Sequence, residues 1–217
     1  MAVVLLTSEP LPVSAQVSPQ AEVSLEPEYR QLRAKLSALP EYSGTDAASK
    51  YRLAEELAHR GDVSGAVEAY REAIGLKPDW ADPYRGLGQV LLDHHDYREA
   101  AQALQTSVRL GRNDHQAFYW LGRAYMGAGV LAAAAAALEQ ALGTNPEDAD
   151  ALADLALIRM AEGNPAGAEE ALSSSIRLRP DYAGAHQLRD HLAQGRQDAA
   201  LTKQIGLRLL KELFGRK

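Results

Sequence analysis

A spacing of 34 residues relates four consecutive segments of this chain. Small residues recur at this spacing, at Ala66, Ala100, Ala134 and Ala168. Prolines follow at the same spacing, at Pro78, Pro146 and Pro180, with Arg112 in the remaining position. A unit of this length is one helix–turn–helix pair, which cannot bury its apolar face alone. Neighbouring units must therefore stack on one another.

Side-chain sizes within the units support this interpretation. A leucine is followed by a small residue four times, at Leu53-Ala54, Leu87-Gly88, Leu121-Gly122 and Leu155-Ala156. A large residue beside a small one suits a place where two helices approach closely. In the second half of the first unit, Ala66, Tyr70, Ala73 and Ile74 share one helical face. No segment of useful length alternates with period two, so we predict no sheet.

Glycines and prolines mark the expected helix ends. Gly61, Gly129 and Gly163 fall at the turn inside a unit, where a left-handed residue is needed. Each proline that ends a unit is followed by an acid, which suits the positive start of the next helix.

These positions resemble the tetratricopeptide repeat family, whose pattern is W-x2-L-G-x2-Y…A-x3-F…P. Four units match it, covering 136 of 217 residues, at 47–80, 81–114, 115–148 and 149–182. The resemblance implies an all-α, right-handed solenoid of stacked helix pairs, closed by C-terminal capping helices in 183–217.

The N-terminal region differs in composition from the repeats. Residues 1–27 are rich in Pro, Ser, Glu and Val and predict a flexible arm. Residues 28–46 predict a short amphipathic helix and a linker, the helix carrying on one face Tyr29, Leu32, Leu36 and Leu39. We expect this helix to cap the first repeat.

The first fifteen residues decide the expected localisation. They lack a basic start and hold only a short apolar run, although Val13-Ser14-Ala15 is similar to a signal-peptide cleavage site. We therefore expect a cytoplasmic protein. The alternative is a periplasmic or secreted protein, if residues 1–15 are a truncated leader.

Residues 198–214 predict an amphipathic helix with a stripe of Leu201, Ile205, Leu209 and Leu213, and Leu210 and Phe214 beside it. One interpretation is a cap, since solenoids need a terminal helix with a polar outer face. The other is a basic apolar helix that contacts an anionic membrane, a partner or a second copy of the chain.

Charge and composition exclude several classes of partner. Residues 51–200 hold 14 basic and 22 acidic side chains, a net −8, whereas residues 201–217 hold five basic and one acidic, a net +4. An acidic solenoid is a poor binder of nucleic acid. No apolar run is long enough for a transmembrane helix.

Catalytic and metal-binding patterns are absent from the sequence. Asp93-His94-His95-Asp96 is rich in ligand atoms, but neighbours in one turn do not easily converge on one ion. No phosphate loop, dinucleotide motif or nucleophile elbow occurs, and the chain has no cysteine. We therefore predict no enzyme activity, no cofactor and no metal.

The resemblance places a binding groove along the first helix of each pair. The matching positions are Tyr51, Glu55, Arg85, Gln89, Leu92, Tyr119, Arg123, Met126, Asp150, Leu157, Met160, Gln187 and His191. Arginine and aromatic residues are frequent hot spots, and methionine adapts to apolar partners. We hypothesise a peptide or protein with an acidic group near Arg85 and Arg123 and apolar residues further along. The alternative is that several of these residues pack between repeats.

These features favour a non-enzymatic scaffold or adaptor that binds a protein in its groove. The acids at Glu55, Asp150 and Asp154 argue against the basic clamp with which chaperone-binding members of the family hold acidic tails. A bacterial envelope assembly factor, in pilus or secretion machinery, and a self-associating structural module remain the alternatives.

Overall fold

A computed structural model describes residues 19–39, 42–111 and 113–215 of the chain. Most of the predicted arm, residues 1–18, and the proline-replacing Arg112 lie outside the described residues. The described part holds no strand, and its helices are α1 Pro19–Ser37, α2 Ala47–His59, α3 Val63–Leu76, α4 Ala81–Asp93, α5 Tyr97–Arg109, α6 His115–Gly127, α7 Leu131–Thr144, α8 Ala149–Glu162, α9 Pro165–Leu178, α10 Ala183–Gly195 and α11 Ala199–Phe214. The all-α class predicted from the sequence is confirmed.

The helices form two compact units. The N-terminal unit contains α1 to α5, and the C-terminal unit contains α6 to α11. Within each unit the most extensive packing joins consecutive helices, α2 with α3, α4 with α5, α6 with α7 and α8 with α9. Each of these hairpins falls within one of the 34-residue segments, so the repeat spacing corresponds to one helix pair.

The small residues of the repeat pattern lie where the two helices of a pair meet. A β-carbon added to Gly88 would lie 2.5 Å from Leu104 Cγ, and one added to Gly122 would lie 2.8 Å from Leu138 Cγ. Leu104 and Leu138 are fully buried. The large residue of the second helix therefore occupies the space that the glycine leaves open, as the alternation of large and small positions predicts.

The turn inside each pair uses one left-handed residue. Gly61, Gly129 and Gly163 have φ values of 80°, 76° and 78°, as the sequence predicts. The corresponding position of the second pair is His95, with φ 68°. The His95 ring nitrogen Nδ1 lies 2.7 Å from the Tyr97 hydroxyl, so the histidine-rich turn has a structural role in closing this hairpin.

Helix α1 begins earlier than the sequence predicts. It starts at Pro19 rather than at residue 28, so residues 19–27, assigned to the flexible arm, are helical. Pro19 occupies the first helical position, where a proline loses no hydrogen bond, and Pro27 lies inside the helix, so the proline-rich composition did not mark where the helix starts. Of the predicted apolar face, Leu36 is buried, whereas Leu39 follows the helix and is 41% exposed.

An ion pair fastens α1 to the first repeat. The Arg33 guanidinium donates to both carboxylate oxygens of Asp62, at 2.6 and 2.7 Å. The fully buried Asp62 also caps α3 by accepting from the Gly65 amide at 2.9 Å. Helix α1, which the sequence predicts to cover the end of the first repeat, thus contacts Asp62, the N-cap residue of α3.

Replacing Arg33 with alanine is expected to loosen α1. The buried Asp62 carboxylate would lose two charge-assisted hydrogen bonds, which costs about 2 kcal/mol of stability. Thermal unfolding gives the stability, and hydrogen exchange shows whether the α1 amides lose protection. Lys35→Ala, on the exposed side of the same helix, is the control and should change neither measurement. Equal effects of the two variants would contradict the assigned role of Arg33.

Candidate functional site

The first helices of the C-terminal unit, α6 and α8, carry many of the predicted groove residues. We call the side of α6 and α8 that bears Tyr119, Arg123 and Met126 together with Asp154, Leu157 and Met160 the first-helix face. Along both helices this face changes from polar near the helix starts to apolar near the helix ends. The two ends have different surroundings.

The polar end is built around a buried carboxylate. Asp154 is 1% exposed, and its Oδ2 lies 3.7 Å from Nε of Arg123, which is 11% exposed. Neither Asp154 oxygen accepts a hydrogen bond. Burial raises the pKa of the Asp154 carboxyl, and the Arg123 charge opposes that rise. The Arg123 guanidinium also lies 5.9 Å from the centre of the Tyr119 ring.

A second ion pair lies beside the first. Arg179 donates to Asp150 at 2.7 Å, and its guanidinium stacks 3.6 Å from the centre of the Tyr182 ring. Burial and the nearby Asp154 carboxylate raise the pKa of the Tyr182 hydroxyl. This end of the unit therefore holds two arginine–carboxylate pairs, each stacked on a tyrosine.

These contacts change the expected role of Arg123. The sequence analysis assigned it to an acidic group of a partner, but its nearest carboxylate is Asp154 of the same unit. Because little of the Arg123 side chain is exposed, an outside acid has little access to it. Binding of a partner's acidic group by Arg123 stays a prediction, and such a group would have to compete with Asp154. The role proposed for Arg85, in the other unit, is untested by this geometry.

Helix α11 covers the apolar end of the first-helix face. It packs mainly against α8, less against the preceding α10, and also contacts α6. Met126, Leu157 and Met160, expected to line an open groove, are buried. They offer no surface to an outside partner in this arrangement, because the chain's own C-terminal helix lies over α8 and α6. Leu92, predicted at the matching position of the N-terminal unit, is also buried.

The path of α11 can be followed by its closest approaches. A β-carbon added to Gly163, in the turn after α8, would lie 2.9 Å from the Ala199 carbonyl oxygen. One added to Gly206 would lie 2.3 Å from the Ala161 nitrogen and 2.6 Å from the Met160 carbonyl carbon. Helix α11 thus starts beside the end of α8 and crosses it with the two backbones nearly touching.

The far end of α11 reaches α6 and the start of α7. Leu207, Leu210 and Phe214 line a small cleft of about 220 Å³ together with Met126 and Leu131. The stripe of Ile205, Leu209 and Leu213 is buried. The apolar face of α11 is therefore packed in this arrangement, and its contact with a membrane or with a second copy stays a prediction. Leu201 and Leu207 remain 39% and 45% exposed.

The N-terminal unit holds an aromatic cluster formed by Tyr51 of α2, Tyr70 of α3 and Trp80, the residue before α4. The Tyr51 ring centre lies 4.9 Å from that of Trp80 and 6.0 Å from that of Tyr70. The buried Tyr70 donates a hydrogen bond to the exposed Glu55 carboxylate. Tyr51 and Trp80 are partly exposed, so the cluster combines a rigid base with an accessible aromatic surface.

Charged and polar groups adjoin this cluster. Arg85 Nε lies 3.9 Å from Asp82 Oδ1, and Asp82 accepts from the Trp80 indole at 3.0 Å. The Arg85 side chain is 18% exposed, and Gln89, one turn further along α4, is partly exposed. Tyr51, Glu55, Arg85 and Gln89 thus share the first helices of one unit, as predicted.

Two residues of these sites, Trp80 and Tyr182, were not predicted from the sequence, and Asp154 was named there only as an acid that argues against the chaperone clamp. Asp154, Trp80 and Tyr182 are central to their clusters but occupy positions where the family pattern prescribes nothing. A signal for Asp154 did exist, because it is the one acid in the otherwise mostly apolar stretch 151–160, and an acid that is buried needs a partner. Two predicted residues on α10, Gln187 and His191, are partly exposed.

The described residues contain no group of three or more His, Cys, Asp or Glu side chains arranged to hold a metal ion. Among the same residues, no helix is both long and apolar enough to cross a membrane.

Comparison with known families identifies the class of protein that this geometry defines. Models described as tetratricopeptide repeat match residues 85–135 and 125–194, and one described as TPR repeat matches residues 54–94. The chain belongs to the tetratricopeptide repeat family.

Among curated proteins, the chain is similar to tetratricopeptide repeat protein 33 of Xenopus laevis. The two are 37% identical over 91 residues, which is 40% of this chain and 34% of that protein. The match therefore spans about a third of the length of this relative.

Solved structures show the same fold. The crystal structure of the MamA protein is 25% identical, with a TM-score of 0.65, over 76% of this chain and 92% of that one. The structure of YrrB, described as a TPR protein with an unusual peptide-binding site, is 20% identical, with a TM-score of 0.63, over 85% of this chain and 91% of that one. The tetratricopeptide repeats support a scaffold for protein–protein interaction.

Proposed function

We propose that the protein is a non-enzymatic scaffold that binds a peptide or protein partner along its first helices. In the N-terminal unit the contact surface consists of Tyr51, Trp80, Arg85 and Gln89. The observation that carries this proposal is the aromatic pair Tyr51–Trp80, partly exposed and held 4.9 Å apart beside Arg85.

The rigidity of this surface favours binding. Tyr51 rests on Trp80 and on the buried Tyr70, whose hydroxyl is tied to Glu55. Aromatic residues and arginine dominate interface energetics, and a surface already held in place loses little entropy when a partner arrives. YrrB, which shares this fold, is described as having a peptide-binding site, and we extend that role to this chain.

The test compares two charge reversals in the full-length protein. Partners are captured by crosslinking in the native cell with the unaltered protein, identified by mass spectrometry, purified and titrated against each variant. Arg85→Glu is expected to weaken the binding of the partner at least about tenfold, a change of 1.4 kcal/mol. The reason is that the substitution replaces the positive charge beside the aromatic pair.

Arg98→Glu makes the same charge change on the exposed side of the second helix α5 and serves as the control. It should leave the affinity unchanged. If both variants bind the partner like the unaltered protein, the N-terminal unit's first helices are not the contact surface and the proposal fails.

A further inference from the structure

Helix α11 does not continue the repeat stack. In the other four helix pairs the second helix packs most extensively on the first helix of its own pair. Helix α11 follows α10 in the sequence but packs mainly on α8, the first helix of the preceding pair. In the chain, a short connection between Gly195 and Ala199 links α10 to α11. The C-terminal helix therefore folds back onto a surface that the repeats themselves already form.

The surface under α11 has the composition of a binding site. Met160 lies at the Gly206 crossing and Met126 lines the cleft with Leu210 and Phe214, both at positions predicted from the sequence to contact a partner. Methionine and leucine surfaces repack easily around different apolar partners. The amphipathic helix α11 covers them. Its shape and side chains therefore indicate the kind of ligand that would fit this surface.

The residues on the docked side of α11 indicate which side chains such a ligand would carry. Its buried residues come in pairs one turn apart: Ile205-Gly206, Leu209-Leu210 and Leu213-Phe214. Gly206 sits at the crossing with α8, where any side chain would meet the backbone of Met160 and Ala161. Glycine in a helix interior costs about 1 kcal/mol relative to alanine, so its presence here is explained by the close approach.

The outward side of α11 is polar and mostly basic. Lys203, Arg208 and Lys211 are exposed, and Glu212 is the one acid exposed on this side of the described helix. The docked helix thus buries apolar side chains on α6 and α8 while its charges stay in water. Apolar contacts, the Gly206 crossing and the close approach of Ala199 to Gly163 hold it, together with the buried Thr202 hydroxyl, which donates to the Gly195 carbonyl at 2.7 Å.

We propose that the first-helix face of the C-terminal unit is a binding site for an amphipathic helix of a partner protein, and that α11 occupies this site in cis. The partner helix carries paired apolar residues one turn apart and a small residue where it crosses α8. Access requires α11 to swing away about its connection to α10. This inference deepens the proposed scaffold function, and it concerns a different unit from the surface around Arg85.

Opening the site in the full-length protein tests the proposal. Gly206→Leu adds a side chain whose β-carbon would lie 2.3 Å from the Ala161 nitrogen, so α11 should undock from α8. The helix itself should persist, because leucine is a good helix former. Gln204→Leu adds the same side chain at an exposed position of the same helix and is the matched control. Hydrogen exchange should show loss of protection in α11 of Gly206→Leu alone, with α6 to α10 still protected.

The open site should then bind α11 supplied in trans. The probe is a fluorescent peptide of residues 198–215, titrated against each protein by anisotropy. Binding to a site that is free only a small fraction of the time is weakened by that fraction. If α11 is undocked about 1% of the time in the unaltered protein and in Gln204→Leu, the peptide finds its site free in about 1% of those molecules. We then expect the Gly206→Leu protein to bind the peptide roughly a hundredfold more tightly than either of them. The same peptide carrying Gly206→Leu should not bind.

Three results would overturn the proposal. One is joint loss of protection in α8 and α11, which would make α11 an integral part of the core. Another is an open Gly206→Leu protein that does not bind the peptide. The third is exchange of α11 between two copies of the unaltered chain, seen as a dimer in sedimentation. If Gly206→Leu does not fold, Leu209→Asp, which puts a charge on the buried side of α11, takes its place in the same assays.

The outcome is separable from that of the proposed function. Peptide binding in this assay involves only the C-terminal unit and needs no cellular partner. Loss of partner binding in Arg85→Glu with normal peptide binding in Gly206→Leu, or the reverse, tells which of the two surfaces was assigned wrongly.

Discussion

Arg123→Met is expected to lower the free energy of unfolding by about 3 kcal/mol at pH 7. The substitution keeps the apolar stem but leaves the buried Asp154 carboxylate without the charge that lies 3.7 Å away. Asp154 accepts no hydrogen bond that would compensate. Urea unfolding followed by circular dichroism measures the loss. Arg98→Met, at an exposed position, is the control and should change the stability by less than about 0.5 kcal/mol.

The loss should depend on pH in a defined direction. Burial already raises the pKa of Asp154 above its ordinary value, and removing Arg123 removes the influence that opposes this rise. The folded state then holds a proton that the unfolded state releases above about pH 4. With respect to Asp154, the variant is therefore most stable at low pH, and its free energy of unfolding falls as the pH rises through the pKa of Asp154 in the folded state.

We accordingly expect Arg123→Met to lose less stability at pH 5 than at pH 7. Adding Asp154→Asn to the variant should recover most of the loss at pH 7, because it removes the unpaired charge. An identical loss at both pH values, or no recovery in the double variant, would contradict an ion pair between Arg123 and Asp154.

Tyr70→Ala should destabilise the N-terminal unit by about 3 to 4 kcal/mol. The side chain is among the largest that are buried, and it packs against Tyr51 and under Gly86. A β-carbon added to Gly86 of the neighbouring helix α4 would lie 2.5 Å from the Tyr70 ring, so the ring fills the space between α3 and α4 and its removal leaves a cavity. Chemical denaturation of the full chain provides the measurement.

Tyr70→Phe separates packing from hydrogen bonding. It keeps the ring and removes only the hydroxyl that donates to Glu55, so the cost should be about 1 kcal/mol. If Tyr70→Phe were as destabilising as Tyr70→Ala, the bond to Glu55 rather than the burial of the ring would hold the two helices together.

The fold was largely predictable from the sequence because its determinants are local and repeated. Gly88 and Gly122 face Leu104 and Leu138 as the alternation of small and large positions requires. The left-handed turn at Gly61 recurs every 34 residues, even where His95 replaces glycine. Each of these positions makes its contacts within one helix pair. A pattern that repeats every 34 residues can predict such contacts, because each helix pair is one repeat.

The site was predictable only in part, because its decisive contacts join distant segments. Leu157 and Met160 have a pattern typical of groove residues, and nothing near them in sequence shows that α11 lies over them. The apolar stripe of α11 was evident, but the surface it covers depends on the direction of the chain after Gly195. Arg123 was predicted to contact an acid of a partner, and the carboxylate 3.7 Å from it in the structure is Asp154 of the same unit, three helix positions before Leu157.

The seating of α11 on α8 and α6 is the central claim, and site-specific photocrosslinking tests it most directly. Leu207 is 45% exposed and lines the cleft with Met126 and Leu131, so a benzophenone amino acid in its place should be tolerated. The same group at the exposed Gln204 is the control. Mixing isotope-labelled and unlabelled chains separates contacts within a chain from those between chains.

We expect the group at position 207 to crosslink to residues 126–131 of the same chain, and the group at position 204 to form no such crosslink. Crosslinks from position 207 confined to α10, or formed only between labelled and unlabelled chains, would contradict this expectation.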